Sequence, residues 1–320
     1  QAEDGIRDSV ASRGLGDVYK RQENGDTFST WFIQAKNKDD LRKRSKAHKI
    51  IADHTSGMMG RSMDHVASFV TGMSTSTDIF DNEKYKFSGN LLNYYEYMKK
   101  NDVFASYAVV PPQAARNPEF YQKRNLPIPT LSVVSENDKG VVISGMKMLA
   151  TSAIFANEIW IGNLIPLAPD QVKQSITCAI PCNANGLSLW MRQPLSNHYD
   201  NQFDAPLSWN QDETDVLVMC DKVLVPWERV FVKDDAIQAR EIYFKKHGEY
   251  PPKTGAWEGK PLIPNYLGEC FLKIATHLSF KPNFVNYMFR EDMISDGIEN
   301  CVQYLSLIHI SEPTRRYAIS

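Results

Sequence analysis

Arg61 and His65 put a permanent cation and an imidazole four residues apart. That spacing sets two side chains on one face of a helix, so both could reach a single oxygen atom. A second place suited to chemistry is the small-residue corner Ala150-Thr151-Ser152-Ala153, between strand-like runs that start at Gly140 and end near Asn163. A flat ligand could approach the backbone closely there. Each of these residues also has a plainer reading. Arg61 alone is a surface residue of a helix, and Thr151 a strand-end hydroxyl satisfied by backbone. Pro111-Pro112-Gln113 alone is a turn and Arg116 a surface charge.

The elements that must position these residues change character along the chain. Asp39 and Asp40 suit a helix N-terminus, and apolar residues follow at helical spacing as far as Ile50 and Ile51. The Lys/Arg-rich run from Lys36 to Lys49 reads as the solvated face of that helix. A second helix is expected from Ser62 as N-cap, carrying Val66, Phe69 and Val70 inward. A third runs from about Phe87 to Lys100, with Phe87, Leu91, Tyr94, Tyr95 and Met98 keeping the 3.6-residue period. The first hundred residues therefore read as helical.

After Asp102, β-branched runs take over at 131–134, 141–148, 158–165, 175–180, 187–191 and 216–232, and Glu136-Asn-Asp-Lys-Gly140 reads as a hairpin turn. Helical patterning resumes at Asp234, breaks at the Pro/Gly-rich stretch 247–255, and returns weakly over 267–304. The order helices, strands, helices gives an α+β class. The expected divisions are a helical domain over 23–104, a β-domain over 105–235 and the start of a further helical domain over 236–305. Residues 1–22 and 306–320 resemble translated sequencing-adapter read-through and are set aside as non-native.

A formal net charge of -2, from 36 Lys+Arg against 38 Asp+Glu, gives no field that would recruit nucleic acid or an acidic membrane surface. No apolar run approaches the ~18 residues of a membrane span, and the chain opens on no charged-then-apolar leader. A cytoplasmic protein follows by default. The five cysteines, at 178, 182, 220, 270 and 301, lack close C-x2-C pairing, so no metal site is expected; Cys178 and Cys182 read as buried free thiols.

Four ordered blocks go further: Met59-Gly-Arg-Ser-Met-Asp-His-Val66, Asp102 through Arg116 with Tyr107-Ala-Val-Val-Pro-Pro-Gln113, Gly145-Met-Lys-Met-Leu-Ala-Thr-Ser152, and Asp221 through Phe231. Together they resemble the oxygenase component of the two-component 4-hydroxyphenylacetate 3-monooxygenase family, over nearly everything between residues 30 and 240. The resemblance implies an acyl-CoA-dehydrogenase-like arrangement, with an N-terminal helical domain, a central β-barrel-like domain and a C-terminal helical domain, assembled as a homotetramer. It also implies FAD, delivered as FADH2 by a separate flavin reductase, and a phenolic substrate with O2. In that chemistry a flavin C4a-hydroperoxide hydroxylates a 4-substituted phenol ortho to its hydroxyl. The cofactor does the oxygen chemistry, while the protein orients and ionises the phenol and keeps the site dry.

A phenol with a pKa near 10 needs a cation or hydrogen-bond donor to favour its anion. By the resemblance, Arg61 meets the phenol oxygen. Members of the family carry Tyr where this chain has His65 and His where it has Tyr107, so the pair looks exchanged in kind. Arg61, His65 and Tyr107 are thus the expected catalytic residues, and they bind substrate together with Asn163, which falls on the substrate-side strand. Tyr107, Pro111, Gln113 and Arg116 fall in the flavin-lining block, and Thr151 corresponds to the threonine near flavin N5. His198 reads as an exposed loop residue.

Two other readings stay open. A 4-hydroxybutyryl-CoA-dehydratase-like enzyme would share the fold, but it needs cysteines on the helices, and none occurs before Cys178. A non-catalytic member acting as a binding or assembly subunit would keep the fold without the reaction. The final helical domain stops near residue 305, so the chain as written is expected to bind FAD poorly, to be inactive or nearly so, and to expose apolar surface.

Overall fold

The computed structural model describes residues 20–23, 26–57, 61, 63–126, 128–212 and 214–243. Strands β1 (Lys20–Glu23) and β2 (Asp26–Ser29) pair antiparallel, a short two-stranded element within the stretch that sequence patterning reads as helical. Helix α1 covers Lys38–His54, and its N-cap Asn37 accepts from the Asp40 amide. Helix α2 covers Met63–Met73 and buries Val66, Phe69 and Val70, as their spacing predicts. Its expected N-cap, Ser62, lies outside the described residues. Helix α3 covers Ser88–Asn101, buries Leu91, Tyr94, Tyr95 and Met98, and ends on Asp102 in the left-handed conformation.

The basic face of α1 is not wholly solvated. Arg44 turns inward on the same side as Ala47 and His48, and its guanidinium donates to the Trp31 and Ile33 carbonyls, the first of which also accepts from Thr71 Oγ1. His48 is buried too, its Nδ1 2.6 Å from Asp64 Oδ2 on α2, which ties the two helices together.

The β-part holds two four-stranded sheets among the described residues. One has the order β10-β7-β6-β3 and the other β4-β5-β9-β8. In chain order these are β3 (Ala105–Ala108), a short helix α4 (Pro118–Gln122), β4 (Ser132–Asn137), β5 (Gly140–Lys147), β6 (Glu158–Ile161), β7 (Thr177–Pro181), β8 (Leu187–Met191), the short helix α5 (Pro206–Asn210), β9 (Val216–Pro226), β10 (Val230–Val232) and the helical turn α6 (Gln238–Glu241). The β4–β5 hairpin turns where Glu136–Gly140 predicts it, with Asn137 Oδ1 accepting from the Lys139 and Gly140 amides. The apolar run 216–232 divides into β9 and β10 at a 3-10 turn over Trp227–Arg229. Patterning misses β3, which pairs parallel with β6. The expected long loop at 247–255 and the helical return over 267–304 lie outside the described residues.

The two strand-like runs on either side of the small-residue corner enter different sheets. β5 belongs to one and β6 to the other, so the corner is the point where the chain crosses between layers. Gly145 makes the approach to this crossing possible: its φ is +114°, and a Cβ there would lie 2.2 Å from the Thr130 carbonyl oxygen.

Helices and sheets meet through aromatic rings. Trp160 of β6 stacks on Phe231 of β10 at 4.7 Å between centroids, Tyr94 of α3 lies 5.2 Å from Phe231, and Phe69 of α2 lies 5.4 Å from Trp160. Trp160 is fully buried and donates through Nε1 to the Tyr243 hydroxyl at 2.8 Å. A polar clip adds to this contact: Lys84 Nζ and Tyr85 OH both donate to Asp234 Oδ2, and Lys233 Nζ reaches Tyr85 OH.

Lys147, at the end of β5, is 2 % exposed, and its Nζ donates to Asn163 Oδ1 at 2.8 Å. Burial lowers its pKa from 10.5 to about 7, against a weaker opposing effect of Cys178.

Trp160→Ala is expected to cost about 3–5 kcal/mol in urea unfolding, because it removes the shared ring of three packed elements. For Lys147, the unfolded chain keeps a proton up to about 10.5 and the folded chain releases it near 7. Between those values the unfolded state binds more protons, so folding stability rises with pH by up to about 1.4 kcal/mol per unit from this residue. Lys147→Met should flatten that rise; parallel stability–pH curves for variant and wild type would refute the buried-charge assignment.

Candidate active site

The expected site residues form three groups. The first gathers on Asp215, one residue before β9. Thr151 Oγ1 donates to Asp215 Oδ1 at 2.9 Å, and Arg61 Nη2 lies 3.7 Å from the same oxygen. Arg61 also points Nη1 toward the Leu149 carbonyl at 3.5 Å. Arg61 stands in a turn before α2, which begins at Met63. A shared helical face with His65 is therefore not what places it; the carboxylate of Asp215 and the corner's own carbonyl are. The Arg61 side chain is 36 % exposed.

The corner is held by backbone. The Ala150 amide donates to Val216 O and the Ser152 amide to Thr214 O, so both sides of Asp215 grip the segment that carries Thr151. Ser106 Oγ of β3 adds a bond to the Thr151 carbonyl at 2.7 Å. Leu149 and Ser152 take left-handed conformations, φ 61° and 60°, at which a side chain costs free energy. Ser152 Oγ and Thr214 Oγ1 are buried here with no hydrogen-bond partner among the described residues. Two orphaned hydroxyls beside small residues suit a flat ring with a polar edge.

The second group is His65 with Tyr107. Both are buried, and their rings meet edge-on with centroids 5.4 Å apart. Phe69 closes on both, 6.1 Å from His65 and 5.2 Å from Tyr107. The imidazole and phenol that look exchanged in the sequence are thus direct neighbours in space.

The third group lines a cleft of about 550 Å³, with Pro111, Thr130, Lys147, Asn163 and Gln171 among its walls. Asn163 is buried, and its amide serves the protein: Oδ1 accepts from Lys147, and Nδ2 donates to the Gln174 and Ile176 carbonyls. Gln113 is exposed, in the 3-10 turn Gln113–Arg116. Arg116 belongs to the same turn, and its side chain lies outside the described residues. His198 is exposed, as expected, while Cys178 is a buried free thiol and Cys182 only half-buried. Asp215 and Lys147 carry much of this geometry, and sequence patterning passes over both. Lys147 stands within the Gly145–Ser152 block, where its charge inside an apolar strand was the available signal. Asp215 gave none.

Among the described residues, no helix is long and apolar enough to cross a membrane, and no three His, Cys, Asp or Glu side chains converge as metal ligands would.

The chain is 36% identical over 218 residues to the 4-hydroxyphenylacetate 3-monooxygenase oxygenase component of Thermus thermophilus, covering 68% of this chain and 44% of that relative. It is 28% identical over 214 residues to the oxygenase component of a Rhodococcus 4-nitrophenol 2-monooxygenase, covering 66% and 40%. The chain thus spans less than half the length of these relatives. A crystal structure of the oxygenase component of 4-hydroxyphenylacetate 3-monooxygenase, complexed with FAD and 4-hydroxyphenylacetate, superimposes with a TM-score of 0.68 at 28% identity, covering 93% of this chain and 60% of that one. An archaeal 4-hydroxybutyryl-CoA dehydratase matches at 0.62 with 15% identity, covering 93% and 58%, which shows a shared fold alone. Residues 14–232 match the family described as 4-hydroxyphenylacetate 3-hydroxylase N terminal, and with that match over most of its length the chain belongs to that family.

Proposed function

We propose that this chain is the substrate- and flavin-contacting part of a flavin-dependent aromatic monooxygenase, the oxygenase component of a two-component system that hydroxylates a 4-substituted phenol ortho to its hydroxyl. The observation that carries the reading is the meeting of Arg61 and Thr151 on one Asp215 oxygen, at 3.7 and 2.9 Å. It sets the cation required by a phenolate beside the hydroxyl required by a flavin, in a corner whose small residues and orphaned hydroxyls fit a flat ring. FADH2, supplied by a separate reductase, would provide the activation of dioxygen.

The chain's own residues do the rest. Arg61 favours the phenolate over the phenol by charge, and Asp215 keeps the guanidinium aimed at the corner. Thr151 offers its hydroxyl to the ring edge. His65 and Tyr107, buried side by side, give an imidazole and a phenol between which the substrate proton can be taken and held. Phe69 and Trp160 behind them keep water out.

Arg61→Met should lower kcat/KM for catechol formation from 4-hydroxyphenylacetate by roughly 100-fold, the scale for losing one preorganised charge contact, with FADH2 affinity little changed. The measurement supplies chemically reduced FAD and O2 to the full-length protein and follows the catechol. Flavin binding without catechol from any 4-substituted phenol would favour the non-catalytic reading; an Arg61→Met variant as fast as wild type would remove Arg61 from the mechanism.

A further inference from the structure

The cleft beside Asn163 contains a group that the reaction above leaves unused. Lys147 is buried to 2 % exposure and lines a space of about 550 Å³, within the usual size of a small-molecule site. An ammonium has three donors, and among the described residues Lys147 has one hydrogen bond, to Asn163 Oδ1, and no carboxylate partner. A buried cation without a counter-charge is costly unless something supplies one.

Two further polar groups face the same space. Neither Thr130 Oγ1 nor the Gln171 Nε2 donates to a described residue, whereas Gln171 Oε1 is held by the Ala168 amide, which turns the Gln171 nitrogen away from that contact. The remaining wall is apolar, with Val109, Ile128 and Leu167 prominent. One cation, two uncommitted donors and an apolar wall describe a receptor for an anionic oxygen attached to a hydrocarbon body.

We propose that this cleft is a carboxylate-binding site, in which Lys147 Nζ receives the carboxylate of a small aryl or alkyl acid and Asn163 acts as the positioning residue that holds the lysine. The assignment moves recognition of an acid group from Asn163, whose amide is consumed by protein, to Lys147. Where the hydroxylation reading holds, Lys147 selects phenols with an acidic substituent, and to that extent it rests on that reading. Binding itself needs neither phenol nor flavin.

The titratable groups facing Lys147 are the Cys178 thiol on β7 and, beyond it, the Cys220 thiol on β9. Burial pushes both up, Cys220 to about 12, so both are neutral near pH 7. Among the described groups facing it, Lys147, with a pKa lowered to about 7, is therefore the one whose charge changes around neutrality.

The test titrates the chain with phenylacetate, which has no phenol to react, and with 2-phenylethanol, a neutral analogue of the same outline, by calorimetry without flavin. Phenylacetate is expected to bind roughly 10-fold or more tightly than the alcohol, and Lys147→Met to erase that preference while leaving the alcohol unchanged. Wild-type affinity for phenylacetate should fall as pH rises from about 6.5 to about 9, because the acid stays ionised while the lysine loses its proton. No binding of phenylacetate, an equal preference in Lys147→Met, or a flat pH profile overturns the proposal. The wild-type pH profile decides alone if the variant does not fold. Acid binding without catechol from the full-length protein would sink hydroxylation and leave the Lys147 site standing.

Discussion

The segment Thr214-Asp215-Val216 holds the site together. Its flanking carbonyls take the amides of Ser152 and Ala150, its central carbonyl takes the Arg192 amide, and its carboxylate takes Thr151 and Arg61. Three residues before and at the start of β9 therefore fix the place where the chain passes from one sheet to the other. The crossing carries two left-handed non-glycine residues, each a cost of order 1–2 kcal/mol that persists only because its surroundings over-determine it. Without the grip of 214–216, Thr151 keeps the Ser106 bond to its carbonyl but loses the partner of its hydroxyl, and Arg61 loses the anion that faces it.

Charge is used sparingly inside this fold, and each buried charge answers a local need. Arg44 satisfies carbonyls of an irregular turn, the His48–Asp64 contact joins α1 to α2, and Arg229 pairs with the buried Glu158 at 2.8 Å while lying over the Tyr97 ring at 4.3 Å. These groups are paired within the protein, and their role is cohesion between elements. Lys147 differs in having a neutral amide as its hydrogen-bond partner and a cleft in front of it. That contrast separates a structural charge from one available to a ligand.

The elements were largely legible in the sequence and their arrangement was not. Helices α1 to α3 and the β4–β5 hairpin follow from periodicity and turn chemistry, which are local signals. The assignment of β5 and β6 to different sheets depends on pairings with β9 and β3, distant in sequence and invisible to periodicity. β3 itself, Ala-Ser-Tyr-Ala, is too short and mixed to announce a strand. Arg61 shows the same limit at the site: four-residue spacing places it with His65 only if the helix includes both, and the helix starts two residues too late. The residues taken from the family blocks do meet in space, Arg61 and Thr151 on one Asp215 oxygen and His65 against Tyr107, through contacts between segments distant in sequence.

The exchange that the family resemblance implies for His65 and Tyr107 is intelligible once the two are seen in contact. Swapping an imidazole and a phenol between distant positions would leave a void at one and crowding at the other, at a cost of kcal/mol in a close-packed interior. Between touching positions the summed volume is unchanged, and Phe69, packed on both rings, meets the same pair in mirror order. What the swap alters is which backbone carries the imidazole. In this chain it rides on α2, close in sequence to Arg61, while the phenol rides on β3 beside Ser106, which anchors Thr151. The imidazole is thus carried on the segment that also holds the guanidinium, and the phenol next to the residue that anchors the corner.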